Sequence, residues 1–144
     1  MTASWTWLQW ALLSATFAAL TAIFAKLGVQ GVPADVATLI RTFIVLVVLA
    51  VLVPATGQWM NPLSLQIRTW CFLALSALAT GASWLCYFRA LQLGDASKVA
   101  PVDKLSVVLV AVFATIFLAE RPTPRDWLGI GLIGLGVALL AFKR

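Results

Sequence analysis

Histidine is missing from this sequence, and acidic residues nearly so: five Asp and Glu stand against ten Lys and Arg in 144 residues. Without an imidazole, a His-based metal site and a Ser-His-Asp triad are both excluded. Charge of either sign is scarce, at 10% of residues, where soluble domains carry about 25%. So little polarity cannot keep a fold of this length dispersed in water. Cysteine is limited to Cys71 and Cys86, both on one expected helix. Their spacing corresponds to about 22 Å of helical rise, far beyond disulfide reach, and they read as small packing residues. The basic residues are scattered singly near helix ends and form no stripe, so nucleic acid is not an expected partner.

What is abundant is hydrophobic residue, at 62% of the chain. The solvent is then lipid, where every backbone N–H and C=O must find an internal partner. The apolar runs are long and continuous and do not alternate, which selects helices over a barrel. The expected fold class is all-α integral membrane, with five transmembrane helices in one 1–144 domain. The spans run over about 5–27, 33–53, 67–93, 97–119 and 127–142.

Local signals mark their ends. Trp5, Trp7 and Trp10 crowd the first start, where indoles favour the membrane interface. This run is too long for a cleaved signal peptide and lacks its basic leader, so it is kept as a mature helix. Gly28–Gly31 makes a short turn, and Pro33 suits the first turn of the second helix. Pro54, Gly57, Asn61 and Pro62 break the chain into its longest loop, after which Arg68 and Trp70 hold the third start. Gly94 is a natural stop. Glu120, Arg121, Pro122 and Pro124 form a polar hairpin, and Lys143 and Arg144 close the chain. With the C terminus inside, Lys26, Lys98, Lys143 and Arg144 lie on the inner side and Arg68, Arg121 and Arg125 on the outer. That is almost no bias under the positive-inside rule, and leaves weak C-inside or two-way insertion open.

Charged residues within spans are costly and mark candidate sites. Arg41 lies about two turns into the second span, Lys26 ends the first and Arg89 nears the end of the third. Asp103 and Lys104 lie within the fourth, shortly after Pro101, the expected helix break. Successive residues point about 100° apart on a helix, so Asp103 is expected to pair with a cation on another helix, Arg41 by depth. A register-fixing ion-pair network and snorkelling of Lys26, Arg89 and Lys104 are the plain accounts. A cavity that attracts anions, with Arg41 and Lys104 reading the solute, is the functional one. Thr80, Ser83, Trp84 and Tyr87 recur at three- and four-residue spacing and share a face. They are either packing and interhelical hydrogen bonding or the wall of a solute pocket. Gly129, Gly131, Gly134, Gly136 and Ala138 give the last helix a small-residue surface for close helix packing.

The stretch Ser83-Trp-Leu-Cys-Tyr-Phe-Arg-Ala-Leu-Gln-Leu-Gly94, followed by Asp-Ala-Ser-Lys-Val-Ala-Pro101-Val-Asp-Lys-Leu-Ser106, resembles the EamA-type proteins of the drug/metabolite transporter superfamily. Lys26-Leu-Gly28, Arg41, the Glu120-Arg121-Pro-Thr turn and the glycine-rich last helix fit the same pattern, across essentially the whole chain. The likeness is to the short five-helix bacterial and archaeal branch. It implies half of a ten-helix inverted-repeat architecture, hence a transporter that works as a homodimer, antiparallel if the analogy is close. The first helix holds no acidic residue, unlike the four-helix multidrug relatives, which argues against cationic-drug antiport from that helix. The expected function is secondary transport, in the export direction, of a small polar metabolite, anionic or zwitterionic by the surplus of cations. Asp103 would hold geometry or carry a coupling proton. Partners are then the inner-membrane bilayer, the metabolite and a second copy, with no cofactor and no enzymatic chemistry. A non-transporting membrane subunit and a lipid-carrier flippase component are the alternatives.

Overall fold

A computed structural model describes residues 6–141. Trp5, Phe142, Lys143 and Arg144 lie outside the described residues. The described residues form α1 (Trp7–Gly28), α2 (Ala34–Ala55), α3 (Ile67–Leu93), α4 (Ala96–Asp103), α5 (Leu105–Phe117) and α6 (Pro124–Ala141), with a 3₁₀ turn at Pro62–Ser64. Five helical stretches are long and apolar enough to cross a membrane: α1, α2, α3, the α4–α5 pair taken together and α6. The fourth expected span is therefore two helices. Lys104 N donates to Pro101 O and Val107 N to Lys104 O, both at 3.0 Å, so the backbone tightens to i→i+3 bonding at Lys104. Pro101 lacks the N–H that would reach Ser97 O, and the break falls three residues beyond it, at Lys104.

Both ends of the described chain start their helices in the same way. Thr6 N donates to Gln9 Oε1 at 2.7 Å. Thr123 N and Oγ1 donate to Asp126 Oδ2 at 2.7 and 2.8 Å, and Asp126 N returns a bond to Thr123 Oγ1 at 3.3 Å. These are capping boxes ahead of α1 and α6, the second with Pro124 at the first helical position. Along the helices the threonine hydroxyls turn inward: Thr16, Thr38, Thr42, Thr80 and Thr115 each donate to the carbonyl four residues back. A hydroxyl facing hydrocarbon has no water to donate to, and its own helix supplies the acceptor.

The chain divides into two compact units. One unites the end of α1, from Ile23, with α2 and α3. Here α2 packs on α3, and Val29, Ala34, Thr38, Phe88 and Leu91 are buried. Further along, Ile44 to Leu52 of α2 and Ile67 to Thr80 of α3 are exposed throughout. In lipid these side chains lose nothing by facing outward. The other unit holds the start of α1, through Ala22, with α4, α5 and α6. There α5 and α4 both pack on α6, around buried Ala114 and Val137.

Candidate solute site and its supporting junction

The last two turns of α3 are tied to the α1–α2 turn by three polar side chains. A helix leaves its final carbonyls without intrahelical donors. Lys26, at the end of α1, donates its Nζ to one of them, Leu91 O, and a cation there also complements the helix dipole. Gln92 Nε2 reaches the opposite way, to Val32 O at 2.7 Å and Val29 O at 3.5 Å. Gly31, at φ +75°, supplies the left-handed turn that brings those carbonyls round. Arg89 Nη2 contacts both oxygens of Asp35, at 3.0 and 3.2 Å. Asp35 sits in the first turn of α2, where its charge already suits the dipole. Both members of this pair are 62% exposed, so it is worth about 0–1 kcal/mol. The fully buried Leu91 and nearly buried Val29 hold the junction together beneath it. Lys26 and Arg89 thus bind protein groups at the ends of helices. Gln92 is absent from the sequence candidates, because an amide near a helix end gives no signal beyond its polarity.

One to two turns deeper lies Arg41. Its guanidinium carbon stands 4.2 Å from the centroid of the Trp84 ring and 5.7 Å from that of Phe88. Tyr87 is its electrostatic neighbour. Trp84, Tyr87 and Phe88 follow i, i+3, i+4 spacing and present one face of α3 to α2. A cation over an aromatic face gains about 0.5–2 kcal/mol, more as it is desolvated. Within the unit Ile23–Leu93 the one acid is Asp35, which pairs with Arg89 and not with Arg41. A guanidinium carries its N–H donors around its edge, so contact with a ring leaves donors that can grip a carboxylate or phosphate.

The other sequence candidates fall elsewhere. Thr80 is exposed and its hydroxyl proton is committed to Ser76 O at 2.9 Å; Ser83 is also exposed. Asp103 and Lys104 belong to the α4–α6 unit and pair with each other at 3.4 Å. The expectation that sequence neighbours do not meet assumes an unbroken helix. The break at Lys104 and the length of the lysine stem remove that barrier and let Asp103 and Lys104 meet. Of the α6 glycines, only Gly134 has a neighbour at ordinary contact distance: a Cβ there would meet Val108 Cγ2 at 3.4 Å. Gly129, Gly131 and Gly136 have nothing within 4 Å of that position, and Ala138 is half-buried. Of the five small residues, Gly134 meets a neighbour, Val108. Cys71 and Cys86 are free and exposed on α3.

The model of the EamA-like transporter family matches residues 5–142. The chain belongs to this family. With five helices able to cross a bilayer, it is a multi-pass membrane transporter protein of the EamA-like type. This EamA-like chain is 60% identical over 138 residues, 96% of its length and 98% of the other's, to a Sinorhizobium sp. protein named "uncharacterized transporter in cobO 3′region". It is 30% identical over 89 residues to a "probable 4-amino-4-deoxy-L-arabinose-phosphoundecaprenol flippase subunit ArnE" of Yersinia pestis, covering 61% of this chain and 78% of that one. A protein of the same name from Hamiltonella defensa is 30% identical over 86 residues, 60% of this chain and 76% of that one. No solved structure matches the EamA-like chain.

Proposed function

We propose that the protein carries a small metabolite with a carboxylate or phosphate group across the cell membrane, and that Arg41 reads that group. The supporting observation is a membrane-level guanidinium held by aromatic rings, while the one acid of its unit, Asp35, pairs with Arg89. An arginine kept within a span only for structure ordinarily pairs with an acid or a backbone carbonyl. Trp84 and Tyr87 would flank the rest of the solute, the indole by stacking and the phenol by hydrogen bonding. The Asp103–Lys104 pair, set at a helix break, is the candidate coupling element, releasing or accepting a proton as the solute moves. Alternating access would need a second copy, because five helices form half of the ten-helix architecture. The second reading, a lipid-carrier flippase component, is favoured by the ArnE-named relatives. Their substrate carries a phosphate, which the same guanidinium fork would suit.

Vesicles from cells producing the wild type, Arg41→Ala or Arg41→Lys protein separate these readings when their contents and lipids are surveyed by mass spectrometry. We expect an anionic water-soluble metabolite to accumulate with the wild type and to fall about tenfold, the equivalent of about 1.4 kcal/mol, in Arg41→Ala. Arg41→Lys keeps the charge, loses the fork and should be intermediate. Redistribution of a lipid phosphate alone would select the flippase reading. Equal accumulation in wild type and Arg41→Ala would remove Arg41 from the solute path.

A further inference from the structure

No charged residue occurs between Arg41 and Arg68. That interval contains the membrane-spanning part of α2 and also the whole α2–α3 connection, residues 56–66. A connection lying in water is normally polar and charged. This one exposes Trp59 at 66%, Met60 at 60% and Leu63 at 87%, and runs directly into Ile67. These side chains are continuous with the exposed apolar surfaces of α2 and α3.

The backbone of the connection is bonded internally at its two ends. Thr56 N donates to Leu52 O, Gly57 N to Pro54 O and Gln58 N to Val53 O. Asn61 Oδ1 accepts from Leu63 N at 3.0 Å, and Asn61 O accepts from Ser64 N and Ser64 Oγ. Leu65 N donates to Pro62 O, and Pro62 has no N–H to satisfy. The same Pro62 carbonyl receives the indole N–H of Trp70 at 3.1 Å, which fastens the 3₁₀ turn to the first turn of α3. These bonds lower the cost of moving the two ends of the connection out of water, while the backbone N–H groups from Trp59 to Asn61, without such bonds, stay at the wet headgroup level. Trp70 itself belongs to the residue type that settles at the headgroup level.

From these observations we infer that the α2–α3 connection is a lipid-binding surface, a short interfacial float seated at the headgroup–acyl boundary. Trp59, Met60 and Leu63 enter the acyl region, while Gln58, Asn61 and Gln66 face the headgroups. Its partner is the bilayer. It adds apolar anchorage at one end of the α2–α3 hairpin, opposite the junction of Lys26, Asp35, Arg89 and Gln92. Interfacial segments of this kind bury their apolar face about 5–10 Å below the headgroups.

The test uses the full chain with Cys71→Ala and Cys86→Ala. A single cysteine is introduced as Leu63→Cys, as Met60→Cys in a second protein, and as Arg121→Cys in the charged α5–α6 hairpin for reference. Each carries an environment-sensitive fluorophore and is reconstituted in phosphatidylcholine–phosphatidylglycerol vesicles. We expect blue-shifted emission at positions 60 and 63, quenching by lipids spin-labelled near the headgroup, and iodide quenching several-fold weaker than at position 121. Iodide quenching equal to that at position 121 would overturn the proposal. Blue-shifted emission insensitive to both quenchers would also overturn it, because protein would then cover the loop. Two introduced sites keep the answer independent of either substitution's effect on folding.

Discussion

The two compact units hold their helices together by different means. In the α2–α3 unit the ends are fastened by side chains reaching backbone carbonyls and by an ion pair, from Lys26, Gln92, Arg89 and Asp35. In the α4–α6 unit the contact is made in mid-helix, where the missing side chain of Gly134 admits Val108. Lipid offers apolar groups no reward for burying one another, so helices in it associate through close packing and through polar groups that have nowhere better to go. The first unit uses mainly the second device and the second unit the first. Polar fastening suits helix ends, where unsatisfied carbonyls are concentrated. Close packing suits the middle, where every backbone group is already bonded.

Breaking each device in turn should show how unequal they are. Lys26→Met removes the donor to Leu91 O in a part-buried setting, and an acceptor left unsatisfied costs about 1–3 kcal/mol. Thermal unfolding of the reconstituted protein should shift down clearly, and more than for any substitution of the exposed pair. Gly134→Leu forces a branched side chain into Val108 and should cost about 1–3 kcal/mol by overpacking, whereas Gly129→Ala, in open space, should leave the melting temperature unchanged. Equal losses for the two glycines would show that α6 packs through another face. Ala119→Gly should raise stability by about 0.5–1 kcal/mol, because an alanine held left-handed is strained; Ala119 has φ +54°. The smallest effect belongs to Asp35→Asn, below about 1 kcal/mol, with a melting temperature that becomes insensitive to salt. A large loss there would mean the pair is better shielded than its exposure indicates.

Much of the fold can be read from composition and punctuation. The helix limits lie within a few residues of the apolar runs, because in lipid an apolar run of that length has no alternative but a helix. The two capping boxes, Thr6–Gln9 and Thr123–Asp126, are legible as S/T-x-x-E/Q-like patterns, although the apolar runs alone already set those boundaries. Pro101 announces the break in the fourth span but not its place at Lys104, since a proline disturbs bonds on both sides of itself. The meeting of Arg41 with Trp84 is only half legible. Each residue stands out alone, Arg41 by its charge and Trp84 by its depth, but their contact depends on how α2 rotates against α3. No charge pattern reports that rotation. The Asp103–Lys104 contact escapes the sequence for a related reason: the rule for sequence neighbours holds for a regular helix, and the helix there is irregular.

The helices also differ in length in a way that concerns the bilayer itself. α3 has 27 residues, about 40 Å of helix, and α2 has 22, about 33 Å. A single hydrocarbon slab of about 30 Å matches α2 upright but not α3. α3 must lean or carry its polar ends, Arg68 and Arg89 to Gln92, clear of the slab. Acyl-chain length therefore acts on the protein mechanically: thicker membranes straighten α3 and thinner ones tilt it further. The membrane's thickness becomes a variable of the protein's conformation, set by the cell's lipid synthesis and not by any ligand.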